Sequence, residues 1–421
     1  MKENNSKTYF IQALLFIVTF FTTTLAGGWW VHGNLWPWTP YSWADFREGL
    51  NYSIPFLLFL TFHEFGHYFT ARYHKVKSSL PYYIPLPPME LLIGTMGAVI
   101  RLKEHVKSKK IQFDIGIAGP LAGFIIALCV LTYGFVNLPE PEYIFKIHPE
   151  YEQFGENYAD HVYTYEFQRA QDSINYMTVR READSLRFIS ENKEGEWKYK
   201  AFEPYPEYPN IYITKPLLFS AMEKVLVDDP AKVPNSRELM HYPILLAGFL
   251  ALIFTALNLM PIGQLDGGHI LYGLIGYKKH KIVASIMFVC FLFYAGLGLI
   301  SPTDSSLYET GLLGFPDFIW TFIIYIGFLF VALKGLRKSA KDTLMYAVII
   351  FAVQFLIAYL YPEVQGYHGW LLFVLVIGRV LGVVHPKSQI EEPLDMKRKV
   401  LGWLALIIFI ISLSPAPIDL I

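Results

Sequence analysis

The sequence predicts an all-α polytopic membrane protein with about nine transmembrane helices, a short membrane-associated β-strand or hairpin, and a soluble extracytoplasmic insert. Three observations predict this fold class. The 421 residues are 53% hydrophobic with a mean hydropathy of +0.34, which is rare for a soluble chain of this length. Apolar runs of about 20 residues, the length that crosses a bilayer, recur along the chain. Lysine and arginine gather in alternate connections between those runs.

Nine apolar segments are candidate spans. They cover approximately residues 9–27, 51–70, 113–136, 242–262, 282–300, 318–335, 343–361, 369–385 and 400–415. The first segment has an alternative interpretation as a cleaved signal peptide, because Thr24-Leu25-Ala26 loosely resembles a cleavage site. Its length favours an uncleaved span instead.

The positive charges predict the orientation of the chain. The connections after the second, fourth, sixth and eighth spans are rich in lysine and arginine, whereas loops 301–317 and 362–368 contain neither. Because positively charged loops stay in the cytoplasm, we expect a cytoplasmic N-terminus and an external C-terminus, in a bacterial cytoplasmic membrane. The net charge of −1 says little about partners, but the lack of a basic tract with interleaved aromatic residues argues against a nucleic-acid partner.

Changes in composition divide the chain into five parts. Residues 137–241 are rich in Tyr, Glu, Lys and Pro and contain no apolar span. We expect them to form the extracytoplasmic insert, with a helix over about 156–193. The other parts are an N-terminal span and extracytoplasmic loop (1–50), a first core part (51–136), a second core part (242–281) and C-terminal accessory spans (282–421).

Residues 81–97, PYYIPLPPMELLIGTMG, are apolar but rich in proline. Proline lacks an amide donor and fixes φ, so this segment is not expected to form a helix. Apolar non-helical backbone beside a membrane is tolerated only where protein or a water-filled cavity covers it. The segment is therefore expected to line a cavity.

The second span ends in HEFGH, which is His63 to His67. Histidines four residues apart lie on one helix face, so both imidazoles can bind one metal ion. Glu64 lies beside that face and can deprotonate a metal-bound water. The alternative is a histidine pair that only caps the span. Ionisable groups at membrane depth are usually functional, which favours the metal site. Cys129 and Cys290 both lie in apolar runs, which argues against a cysteine site.

A catalytic zinc site takes three protein ligands, so one ligand is missing from HEFGH. The fourth span ends in TALNLMPIGQLDGGHI, and the predicted topology puts Asp266 at the depth of the two histidines. His269 is the rival ligand, but it lies further toward the water. Asn258 and Pro261 interrupt the span before Asp266, so freed backbone groups and the Asn258 amide are expected to face a cavity.

These residues carry a resemblance to a known family. HEFGH followed by NLMPIGQLDGG resembles the site-2 protease family of intramembrane zinc metalloproteases, as do IGTMGAVIRLKE (93–104), FDIGIAGPLAGF (113–124) and, more loosely, HPKSQIEEPLDMKRKVLGWLAL (385–406). The likeness is to the multi-span branch found in bacteria, archaea and plastids. The insert lies outside it and carries no PDZ signature. The resemblance implies that His63, His67 and Asp266 bind one zinc ion and that Glu64 is the general base. It also implies that Asn258 and Pro261 shape the site or contact substrate.

A transmembrane substrate must be unwound before its backbone can be attacked, and an edge strand can hold an extended chain by β-addition. TMGAVIRLK (95–103) suits this role because its small residues permit close approach and its Val and Ile favour strands. We therefore expect a strand or hairpin over 93–103, with Gly94, Thr95, Gly97 and Ala98 binding substrate. An ordinary interfacial loop is the alternative.

The predicted function is a zinc-dependent intramembrane endopeptidase that cleaves single-span membrane proteins in or near their transmembrane segment, as in regulated intramembrane proteolysis. Two other classes stay open. A catalytically silent relative that binds membrane helices would have no need of the base Glu64. A zinc-containing transporter would be expected to have an inverted repeat or a charged pathway, and the sequence has neither.

Overall fold

Helices make up most of the chain and are accompanied by two small sheets. The computed structural model describes residues 5–34, 36, 41–87, 89, 93–171, 211–308, 317–336 and 339–420. The helices are α1 (Asn5–His32), α2 (Trp43–Tyr73), α3 (Lys109–Val136), α4 (Tyr158–Val162), α5 (Leu217–Leu226), α6 (Pro243–Leu259), α7 (Asp266–Gly296), α8 (Asp317–Leu333), α9 (Ala340–Leu360), α10 (Leu371–Val376) and α11 (Met396–Ser412). The strands are β1 (Tyr82–Pro85), β2 (Thr95–Val99), β3 (Ile211–Ile213) and β4 (Ile418–Leu420).

Each of the nine predicted spans falls on one of these helices. Within the described residues, four helices are long and apolar enough to cross a membrane, namely α1 from Ser6, α3, α7 and α9. Three apolar helical stretches are shorter, namely α6, α8 and residues His368–Leu381 around α10. The prediction of a mainly helical integral membrane protein is confirmed. The number of nine spans stays a prediction.

Residues 266–281 differ from expectation, because a connection was expected there and the structure has the first half of α7. Gly276 interrupts this helix with a φ of 75° and a ψ of 170°. Glycine tolerates positive φ without the penalty that a β-carbon would impose, so the helix can change direction at this point. The four glycines and the run of basic residues in GGHILYGLIGYKKHK resemble a loop, but the segment is helical.

At each end of the helices, the connecting segments contact one another. At one end, the start of α3 meets the start of α11 through ion pairing of Asp114 with Arg398, and Ser108 forms a bridge with Ile390. At the other end, β3 in the insert pairs antiparallel with β4. At each end, the charge pattern assigns the contacting connections to one side of the membrane. The first end is on the predicted cytoplasmic side and the second is on the predicted external side.

Residues 77–87 and 93–103 form the two arms of a hairpin, so the strand or hairpin expected over 93–103 is present. β1 pairs antiparallel with β2, with Tyr83 opposite Ala98 and an irregularity between Tyr83 and Pro85. The Tyr83 hydroxyl is 2.7 Å from the hydroxyl of Thr61 on α2, which ties the hairpin to the helix that carries HEFGH. Gly94 has a φ of +79° and packs on α1, where Thr22 donates to its carbonyl at 2.7 Å.

The described part of the insert contains short helical turns and little regular structure. The turns are Pro141–Lys146, Pro149–Asn157, Pro230–Lys232 and Leu239–His241, in addition to α4 and α5. The helix predicted over 156–193 is found in part, because 158–162 and 165–171 are helical with a break between them. Residues 172–193 lie outside the described residues.

Candidate metal centre

Three side chains converge where α2 meets the start of α7. His63 and His67 lie one turn apart on α2, and their Nε2 atoms are 3.1 Å from each other. Oδ2 of Asp266 is 3.5 Å from Nε2 of His63 and 3.2 Å from Nε2 of His67. The two histidines are buried, at 3% and 7% exposure. One carboxylate oxygen and two imidazole nitrogens thus form a compact triangle of ligand atoms.

The triangle has the size that zinc requires. Donors held about 2.0–2.1 Å from a tetrahedral zinc ion lie roughly 3.3 Å apart, and three protein donors leave one position for water or substrate. The second nitrogen of His67 supports this, because Nδ1 is 2.7 Å from the carbonyl of Ile115. A carbonyl only accepts, so Nδ1 carries the proton and the lone pair of Nε2 faces the triangle. The residues present therefore fit a zinc ion.

The local sequence explains how Asp266 reaches this position. α6 ends at Leu259, and the chain turns back through Gly263, whose φ is +61°, before α7 begins. A β-carbon on Gly267 would lie 1.9 Å from the carbonyl oxygen of Leu259. The tight return thus depends on glycine, and it places Asp266 in the first turn of α7, where the helix dipole favours a negative charge.

Helix α3 packs closely against both histidines of α2. A β-carbon on Gly119 would lie 2.1 Å from Nε2 of His67, and one on Gly123 would lie 3.2 Å from the β-carbon of His63. In the same way, a β-carbon on Gly66 of α2 would lie 2.5 Å from the carbonyl oxygen of Ala118. The small residues of FDIGIAGPLAGF therefore permit the close packing that orients both imidazoles.

Glu64 completes the group of ionisable residues. Its side chain is buried at 6% exposure and interacts electrostatically with His63, His67 and Asp266. Its carboxyl also approaches the backbone amide of Ile100, the residue directly after β2. The hairpin and the triangle are thus neighbours, with Glu64 between them.

Residues 51–297, more than half of the chain, match the family described as Peptidase family M50. The chain belongs to peptidase family M50. The predicted resemblance to the site-2 protease family is confirmed, because that family is the M50 family.

Curated relatives of the M50 chain come from plants. The chain is 25% identical over 215 residues to the probable zinc metalloprotease EGY1, chloroplastic, of Oryza sativa subsp. japonica. The matched segment covers 51% of this chain and 26% of the relative. It is 23% identical over 236 residues to the Arabidopsis thaliana protein of the same name, covering 56% and 31%. This chain therefore spans about a quarter to a third of the length of these relatives. No solved structure matches it.

The residues predicted to bind substrate lie in two places in the M50 chain. Gly94 and Thr95 lie in the hairpin, where the Thr95 hydroxyl donates a hydrogen bond to the carbonyl of Ile84 at 2.8 Å. Gly97, with a φ of +103°, faces the ring of Phe254 on α6. Ala98 lies on β2, and Asn258 and buried Pro261 lie at the end of α6 and in the turn after it. Substrate binding by these residues stays a prediction.

Two polar groupings of the M50 chain were not predicted. His269, the rival ligand, lies outside the triangle, and its Nδ1 is 2.7 Å from Nε2 of His385. Asp114, near the start of α3, is bound at 2.7 Å by two nitrogens of Arg398 and at 3.0 Å by His74. The partners are distant in sequence, and the one sequence signal is that Asp114, His385 and Arg398 lie in stretches resembling the family.

Proposed function

We propose that this chain is a zinc-dependent intramembrane endopeptidase that hydrolyses a peptide bond in or near the transmembrane segment of a membrane protein. The observation that carries the proposal is the triangle of His63, His67 and Asp266 with buried Glu64 beside it, in a chain of apolar helices. Membership in family M50 and the names of the plant relatives support it.

The chain's own residues divide the chemistry among them. His63, His67 and Asp266 would hold the zinc ion. When bound, zinc supplies Lewis acidity, which polarises a peptide carbonyl and makes water more acidic. A carboxylate oxygen of Glu64 takes a proton from the attacking water and delivers it to the leaving amine nitrogen. Burial of Glu64 next to the triangle suits this transfer, because bulk water is kept from competing for the proton.

The hairpin is proposed to present the substrate. Within the described residues β2 pairs with β1 and with no other strand, so an added substrate strand would align along its second edge. Ile100, directly after β2, approaches Glu64, so a chain aligned along this edge would run beside the base. Backbone hydrogen bonds to an extended substrate require no particular side chain, which suits an enzyme that accepts apolar helices of varied sequence.

The membrane arrangement is also part of the proposal. The nine spans are inferred from the apolar runs. The cytoplasmic N-terminus, the centre near the cytoplasmic face and the external position of the insert at 137–241 are inferred from the charge pattern. The five-part division of the chain follows from composition. Single-span membrane proteins are the proposed substrates, in regulated intramembrane proteolysis at a bacterial cytoplasmic membrane.

The test is cleavage of a panel of single-span model substrates by purified protein in liposomes. Wild type is compared with Glu64→Ala, and zinc content is measured in both. Cleavage by wild type alone, with zinc in both, is the expected result. Equal binding of substrate helices by both proteins without cleavage would point to a silent helix-binding relative. Absence of zinc from both would contradict the metal centre.

A further inference from the structure

A second cluster of metal-binding side chains lies at the other end of α6 from Asp266. Nε2 of His148 is 3.1 Å from Nε2 of His241. Oε2 of Glu238 is 3.7 Å from the first of these nitrogens and 3.3 Å from the second. Two imidazoles and one carboxylate therefore form a second triangle. Its spacing is nearly that of the triangle of His63, His67 and Asp266, which is called the M50 centre below. Donors of a tetrahedral zinc ion have about the same separation, roughly 3.3 Å.

The outer nitrogens show which atoms carry protons. Nδ1 of His241 is 2.7 Å from the carbonyl of Val31, at the end of α1. Nδ1 of His148 is 3.2 Å from Oε1 of Glu150. Both partners are acceptors, so each Nδ1 must carry the hydrogen. In neutral imidazoles this leaves the lone pairs of both Nε2 atoms facing each other and the Glu238 carboxylate.

The Glu238 carboxylate is likewise oriented by a hydrogen bond from outside the triangle. It is 3% exposed, and its Oε1 accepts a hydrogen bond from the hydroxyl of Tyr163. Its other oxygen, Oε2, is the one directed at the two histidines. With both imidazoles neutral, three electron-pair donors meet with no hydrogen between them, so a proton or a metal ion is needed to offset their repulsion. Outer partners that fix the tautomer and the carboxylate are typical of metal sites.

We propose that His148, Glu238 and His241 bind a second divalent transition-metal ion, of the class that zinc represents. Two imidazoles and a carboxylate are donors that zinc accepts readily. The side chain of His148 is 28% exposed, which gives the ion a route from the aqueous phase. This proposal does not depend on the M50 centre being an active protease.

The position of the cluster gives the ion a structural role. His148 lies near the start of the insert, whereas Glu238 and His241 lie at its end, directly before α6. Through Val31, His241 also contacts α1. A bound ion would therefore close the insert at its base and attach it to the membrane helices. Closing a long loop limits the freedom of the unfolded chain, so metal binding is expected to stabilise the insert.

The experiment measures zinc per chain in the full-length protein, purified in detergent, stripped with chelator and reloaded with Zn²⁺ alone. Wild type is compared with His148→Ala and with Glu238→Gln, which keeps the shape of the side chain. The matched control is His161→Ala, because His161 also lies in the insert but stacks on Phe154 outside the cluster. Asp266→Asn provides a background in which the M50 centre is impaired.

The expected result is a loss of one zinc ion per chain in His148→Ala and in Glu238→Gln, and no loss in His161→Ala. The same difference is expected in the Asp266→Asn background, which separates this site from the M50 centre. Limited proteolysis is expected to cut the insert faster in the two site variants than in the control. Equal zinc in wild type and both site variants would overturn the proposal and leave a shared proton as the cation.

Discussion

Gly119 on α3 lies so close to the imidazole of His67 that a β-carbon on the glycine would be 2.1 Å from Nε2. That nitrogen is the atom directed at His63 and Asp266. The absence of a side chain on one helix therefore determines where a ligand on another helix can lie.

Gly119→Ala is expected to displace the His67 ring and to weaken zinc binding. Misplacement of a catalytic group by about 1 Å can cost roughly 10²-fold in rate, and overpacking costs about 1–3 kcal/mol of stability. Zinc content and cleavage rate are the measurements. Gly327→Ala on α8 is the control, because no atom lies within 4 Å of the β-carbon that it would add. Full zinc content and activity in Gly119→Ala would contradict the packing argument.

Asp266→Asn is expected to lose the zinc ion of the triangle, because a neutral amide is a poor replacement for the carboxylate. His269→Ala is expected to keep zinc, since the His269 imidazole contacts His385 rather than the triangle. Zinc analysis of the two purified variants decides between them. If His269→Ala loses the ion and Asp266→Asn retains it, the assignment of the third ligand is wrong.

Ala98→Pro is expected to abolish cleavage while zinc remains bound. Proline removes an amide from β2 and prevents regular strand pairing at that point, so an added substrate strand could not align there. Ala98→Ser keeps the amide and is expected to cleave normally. Cleavage and zinc content are measured in both variants, and normal cleavage by Ala98→Pro would exclude a role for strand addition.

Asp114→Asn is expected to lower the free energy of unfolding by about 1–3 kcal/mol, because it weakens a bidentate, charge-assisted pair with Arg398. The comparison is Glu392→Gln, which removes the exposed ion pair with Lys110 at 3.3 Å. Exposed pairs contribute at most about 1 kcal/mol. Thermal unfolding in detergent measures both variants, and equal shifts in Tm would contradict the difference.

The sequence predicted those parts of the molecule in which local pattern decides the structure. The shared face of His63 and His67 follows from helical periodicity, the position of Asp266 from its depth in the predicted topology, and the hairpin from the small and β-branched residues of 95–103. Pairings between distant segments were not predictable in this way. β3 and β4 are three residues each and lie some 200 residues apart, and Asp114 finds Arg398 on a different helix. Such contacts depend on how whole helices pack, which no short stretch of sequence specifies.

The distance along the chain between His67 and Asp266 has a consequence for the timing of synthesis. When a ribosome has inserted α2, the histidine pair is present, but about 200 further residues, including the whole insert, must follow before the third ligand exists. At about 5–20 residues per second, this takes roughly 10 to 40 s. Throughout that interval the nascent chain has only two of the three proposed zinc ligands. The proposed protease is therefore expected to gain its activity only once α7 has been made.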